Sequence, residues 1–176
     1  MSGHDLPVIG GEYTQNALYA RFIDVPESEF EAGSQPLPDW NGRLLMNPAG
    51  TVWVVIDGVA RGYVNEPLFA RVHGWRRQKQ FCGGPLGHES CSWNWVNTVF
   101  HRIPSISVIQ EGAPISTDAT IISNPAGTMF FFENNTIRGI PAAHIMEKYQ
   151  FNWDTGKSNR YSDDVIVRLQ SVGIIE

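Results

Sequence analysis

Asn47-Pro48-Ala49-Gly50-Thr51 returns, letter for letter, as Asn124-Pro125-Ala126-Gly127-Thr128. The offset is 77 residues, from Gly50 to Gly127, and Arg61-Gly62 keeps it as Arg138-Gly139. Trp75 returns as Trp153, an offset of 78, so one residue has been inserted between. A five-letter identity arises by chance roughly once in a couple of hundred chains of this size at ordinary residue usage. With in-register partners downstream, chance is a poor explanation. The chain reads as an internal repeat, and the rest of it is organised around that duplication.

Each copy dictates the same local structure. Asn-Pro-Ala-Gly is a turn, because Pro fixes φ and Gly permits φ > 0. Residues 51–56 are rich in β-branched side chains and read as a strand. Asp57-Gly58 is a strong hairpin signal, and residues 59–64 return as the partner strand. Glu66-Pro67 then opens a short helix through Leu68, Phe69 and Val72, ending near Gly74-Trp75. The second copy runs through a strand at 120–123, the shared turn, a strand at 128–133 and a hairpin turn near Asn134-Asn135. A returning strand at 136–140 and a helix opened by Pro141 complete it.

A further element precedes each copy. Residues 20–25 alternate apolar and polar side chains before Pro26, and residues 99–103 do the same before Pro104. Short helices at 26–33 and 105–111 follow, each closed by Gly. Residues 164–169 read as a third copy of the strand, with 170–173 as the start of the helix after it. The expected architecture is α+β and mainly antiparallel, with two repeats of strand, hairpin and short helix plus a third partial copy, packed as one domain. Unit one covers about 20–75, an insertion without counterpart 76–97, unit two about 98–153 and the partial third unit 154–176.

Asn-Pro-Ala-Gly-Thr, a strand, Asp57-Gly58, Arg61, Phe69 and Gly74-Trp75 together resemble a short repeat found in tandem in bacterial exported and surface-associated proteins. The resemblance covers residues 44–75 and 121–153 with the flanking strand-Pro elements. It implies hairpin-plus-short-helix units and a recognition or cell-envelope role at the cell surface or outside it, with no settled activity. The chain departs from that pattern in the insertion between Cys82 and Cys91. The start, Met1-Ser2-Gly3-His4-Asp5, lacks the basic and apolar regions of a signal peptide.

Composition narrows the partners. Thirteen basic and eighteen acidic residues leave a formal charge of −5, which argues against nucleic acid, whose phosphates want a positive face. No apolar run approaches the ~20 residues that span a bilayer. Catalytic signatures are missing from the sequence: there is no Gly-x-Ser-x-Gly elbow, no phosphate-cradling loop and no His-Glu-x-x-His. Asp57, Asp118, Asp163 and Asp164 are carboxylates whose spacing in space decides whether a hydrolase pair exists. Cys82 and Cys91 close a short loop that suits a disulfide or two inert thiols. Zinc held by Cys82, His88 and Cys91 with His73 or His101 fits no common spacing. No cofactor motif is present.

The aromatic load suits core filling first, Trp75 and Trp153 included, and binding where a ring falls in a loop. Trp40, Trp93 and Trp95 fall in predicted loops, where rings stack on the apolar faces of sugars. Trp75 and Trp153 close the two units. Arg61 and Arg138 either bridge a carboxylate or cap a helix within the fold, or offer planar forks for ligand hydroxyls, carboxylate or phosphate, and Arg76 belongs to a basic cluster around Trp75. The leading expectation is a non-catalytic, lectin-like module with Trp40, Arg61, Trp75, Arg76, Trp93, Trp95, Arg138 and Trp153 as ligand contacts. The alternative is a protein-interaction or cell-envelope assembly module, homo-oligomerisation included. A hydrolase with an unseen carboxylate pair is third.

Overall fold

The computed structural model describes residues 20–30, 35–73, 78–79, 93–94 and 98–176. Within them the fold is α+β. The strands are β1 (Arg21–Asp24), β2 (Leu44–Met46), β3 (Val52–Ile56), β4 (Val59–Gly62), β5 (Gln78–Lys79), β6 (Trp93–Asn94), β7 (Val99–Arg102), β8 (Thr120–Ser123), β9 (Met129–Glu133), β10 (Thr136–Ile140) and β11 (Gln170–Ile174). The helices are α1 (Glu66–His73), α2 (Ala143–Lys148), α3 (Trp153–Ser158) and α4 (Asp163–Ile166). One sheet has the order β1-β7-β2-β3-β4, a second β11-β10-β9-β8, and β5 and β6 form a small pair of their own.

Both Asn-Pro-Ala-Gly-Thr stretches close the same turn. Asn47 Oδ1 accepts from the Thr51 N–H at 2.9 Å, and Asn124 Oδ1 accepts from the Thr128 N–H at 2.9 Å. Gly50 and Gly127 sit at φ 87° and 89°, a region that L side chains enter only with strain. The strand pairs β2/β3 and β8/β9 are antiparallel, as are β3/β4 and β9/β10. Asp57-Gly58 and Asn134-Asn135 take positive φ at both central positions, the I′ geometry that matches strand twist. α1 and α2 then fold back over the sheets.

Parallel neighbours complete each sheet. Met46 pairs with Arg102 and Ala60 with Glu111; 77 residues later, Ser123 pairs with Arg160 and Ile137 with Ser171. β7, which the sequence pattern set at the start of the second copy, joins the first sheet. It lies between β1 and β2 in the first sheet, because its apolar Phe100 is needed in the core beside Leu44.

Residues 164–169 correct a second expectation. They begin as helix α4, not as a strand, and the strand β11 follows at Gln170–Ile174. Ser162 caps the helix, its side chain accepting from the Val165 N–H, and Asp163 and Asp164 stand in the first turn. The cap and the favourable placement of acids at a helix N-terminus outweigh the alternation of Val165, Val167 and Leu169. Residues 153–158 form α3, capped by Asn152 through a 3.0 Å bond from the Thr155 N–H.

The main core lies between the two sheets. Leu44, Val54 and Phe100 from the first meet Ile121, Phe131 and Ile140 from the second, with Phe69 of α1 and Met146 of α2 closing the sides. Each sheet also has an outer face. On the first, Leu45, Trp53, Val55 and Ala60 are covered by Val25, Leu37, Trp40, Ile103 and Ile109. On the second, Ile122 and Ile137 meet Ile166 of α4, with Phe130, Phe132 and Leu169 only partly buried around them.

Candidate functional site

The two repeated arginines are engaged inside the chain. Arg61 Nη2 donates to Glu133 Oε2 at 2.9 Å while Nη1 meets the other carboxylate oxygen, and Nε donates to the Ala113 carbonyl at 2.9 Å. Arg138 forks onto both oxygens of Asp57 at 2.9 Å and donates to the Ile174 carbonyl at 2.8 Å. Each arginine thus clamps the tip of the other hairpin, and neither fork faces an open site.

The tryptophans divide in the same way. Trp40 is buried in the outer core of the first sheet, 4 % exposed, with the Arg43 guanidinium 5.0 Å from its ring centre. The loop around it winds into the 3-10 turn Pro38–Trp40, which turns the ring inward. Trp53 is buried and donates its Nε1–H to Glu111 Oε2 at 2.9 Å. Trp153 opens α3 half-buried against the main core, with Lys157 Nζ 6.0 Å from its ring. Trp75, Arg76 and Trp95, the Trp93 side chain, and Cys82, His88 and Cys91 lie outside the described part of the chain.

The carboxylates and histidines have structural partners or face solvent. Asp57 is held by Arg138, Asp118 accepts from the Asn134 N–H at 3.1 Å, and Asp163 and Asp164 stand exposed in the first turn of α4. His73 is fully buried. The Tyr63 hydroxyl donates to its Nε2, and its Nδ1–H donates to the Tyr149 carbonyl at 2.9 Å. Burial holds its pKa down at about 3, so the ring is neutral at pH 7 and joins α1 to the end of α2. His144 is exposed on α2. Among the described residues no group of three or more His, Cys, Asp or Glu side chains is placed to hold a metal ion. No helix among them is long and apolar enough to cross a membrane.

An open pocket appears where sequence reasoning placed nothing. It lies on the outer face of the second sheet, has a volume of about 200 Å³, and is walled by Ile122, Phe132, Val165 and Leu169 with Thr120, Asn135 and Tyr161 at its rim. β8 and β9 supply the floor, and α4 with the residues flanking it supplies the side. Tyr161, Val165, Val167, Val172 and Ile174 are exposed along the same stretch of chain, apolar surface that water solvates poorly. A signal for it stands in the sequence. Phe130, Phe131 and Phe132 are consecutive in one strand, so apolar side chains project from both faces and each face needs a cover.

The fold and this pocket define the class: an α+β protein with two main sheets whose outer faces are unequally covered among the described residues. No protein-family model, curated protein or solved structure matches the chain.

Proposed function

We propose that this chain is a non-catalytic binding module that docks a protein partner on the outer face of its second sheet. The observation that carries the reading is the apolar pocket of Ile122, Phe132, Val165 and Leu169, bordered by the exposed Tyr161 and Val165. Apolar walls with a few polar groups at the rim suit a partner's apolar side chain, whose burial releases about 25 cal/mol per Å². A cell-envelope setting, implied by the likeness to surface-associated repeats, fits such a role and belongs to the same proposal.

The carbohydrate reading draws no support from the described residues. Arg61, Arg138 and Trp40 are engaged internally, and Trp153 packs half-buried. A displayed random-peptide library screened against the folded chain, beside a glycan array, separates the two. The expected result is apolar peptides whose binding is lost in Val165→Glu. Glycans binding while no peptide is enriched would overturn the proposal.

A further inference from the structure

The open pocket on the second sheet has a filled counterpart on the first, and the comparison identifies its occupant. Under the 77-residue offset Arg43, Leu45, Val55 and Gly58 become Thr120, Ile122, Phe132 and Asn135, all of which line the pocket. Around the first set the space is taken. Leu37 and Trp40 are buried in one cluster with Leu45 and Val55. Gly58 lies under the same segment: a Cβ placed on it would stand 3.1 Å from the Pro38 nitrogen. Arg43 stacks its guanidinium on Trp40.

The segment that fills this space is short. It is Leu37 followed by the single turn Pro38–Trp40, so an aliphatic side chain and an indole three positions later enter together. The matching lead-in of the second unit takes another route. Ile115 donates its N–H to the Gly62 carbonyl at 2.9 Å and buries its side chain in the core between the sheets. That leaves the outer position of the second sheet without an occupant among the described residues.

We infer that this pocket receives a short peptide turn of another protein, with an aliphatic residue three positions before a tryptophan, as Leu37 stands before Trp40. The inference rests on the protein-docking reading and names the partner's chemistry. A volume of about 200 Å³ is below the ~300–1,000 Å³ of drug-sized sites and suits one or two side chains. One main-chain anchor is already used. Gly58 O accepts from the Leu37 N–H at 2.7 Å, whereas Asn135 O, its counterpart, accepts from the Gln170 N–H at 3.2 Å. Binding therefore relies on side-chain burial, and a Kd on the order of 1 mM is expected for an isolated peptide, which must also lose its conformational freedom.

The probe is the synthetic peptide Gln-Pro-Leu-Pro-Asp-Trp-Asn, which copies residues 35–41, titrated into the full chain with methyl groups labelled for NMR. Shifts at Ile122, Val165 and Leu169 are expected, weakened at least tenfold when the peptide's Trp is replaced by Ala or when the chain carries Val165→Glu. Val165 is exposed, so that variant keeps the fold. Thr120→Arg restores the stacking arginine of the first sheet and should tighten binding about threefold. Shifts confined to Leu45 and Val55 overturn the inference, because the peptide would then only displace its own original. Library peptides that bind this face without an aliphatic-x-x-aromatic pattern also overturn it but leave the docking reading standing. If no peptide binds this face, both fall.

Discussion

Arg61, on the returning strand of the first hairpin, clamps Glu133 at the tip of the second, and Arg138, its equivalent 77 residues on, clamps Asp57 at the tip of the first. The two hairpins are locked by a reciprocal pair of bidentate bridges across an apolar core. Their environments differ. The Arg61 and Glu133 side chains are 17 % and 13 % exposed, while Asp57 on the other bridge is 65 % exposed.

That difference makes the bridges unequal. Removing one partner of a buried pair strands a charge and costs about 3–5 kcal/mol, whereas an exposed pair contributes about 0–1 kcal/mol. Arg61→Ala, which strands the mostly buried Glu133, should therefore destabilise by about 3 kcal/mol, and Arg138→Ala, which strands only the exposed Asp57, by about 1 kcal/mol. Arg61→Lys should recover little, since an ammonium cannot fork onto two oxygens. Urea midpoints check this, and equal losses from the two bridges would contradict it.

Acid should unfold the protein through His73. Its pKa is about 3 in the folded chain against 6.5 as the ordinary value. Between those values the unfolded state binds the extra proton, so stability rises with pH there. It is fully present above about pH 6.5 and is lost as pH falls toward 3, by roughly 2 kcal/mol at pH 5. His101, also lowered by burial and by the neighbouring Arg43, to about 4, acts in the same direction. Denaturation midpoints taken from pH 7 to pH 4 should fall steadily, and a flat profile would refute the assignment.

The paired turns should respond alike to backbone changes. Gly127 at φ 89° has no heavy atom within 4 Å of an added Cβ, so Gly127→Ala tests the left-handed backbone alone and should cost about 1–2 kcal/mol. Asn124→Ala removes the acceptor of the Thr128 N–H and should cost about 1 kcal/mol. Thermal melts of both, beside Asn47→Ala, would show whether the two turns contribute equally.

Gly156 decides how closely α3 approaches the second sheet. A Cβ there would lie 2.6 Å from Met129 Sδ and 2.9 Å from Ile121 Cγ2. Gly156→Ala would gain helix propensity on an isolated helix, yet it should destabilise this protein by about 1–3 kcal/mol through overpacking. A rise in melting temperature would contradict the close contact.

Some of this architecture was legible before any coordinate. The two Asn-Pro-Ala-Gly turns, the Asp57-Gly58 and Asn134-Asn135 hairpins, and the helices after Glu66 and Pro141 each follow from a handful of adjacent residues. The cap at Ser162 was equally local, and alternation in the residues after it misled the reading toward a strand. The three consecutive phenylalanines of β9 announced a second apolar face without saying what covers it.

By itself, then, the sequence determined the turns, the hairpins and the helix caps, because steric limits on φ and ψ and the reach of a cap act over a few residues. Tertiary structure alone decided where β7 pairs, that Arg61 and Arg138 each bridge to the other hairpin, that Trp40 turns inward, and that the second sheet keeps an open pocket. Those outcomes depend on contacts between residues up to 81 positions apart. Which partner a side chain meets across such a distance is set by how whole faces are covered.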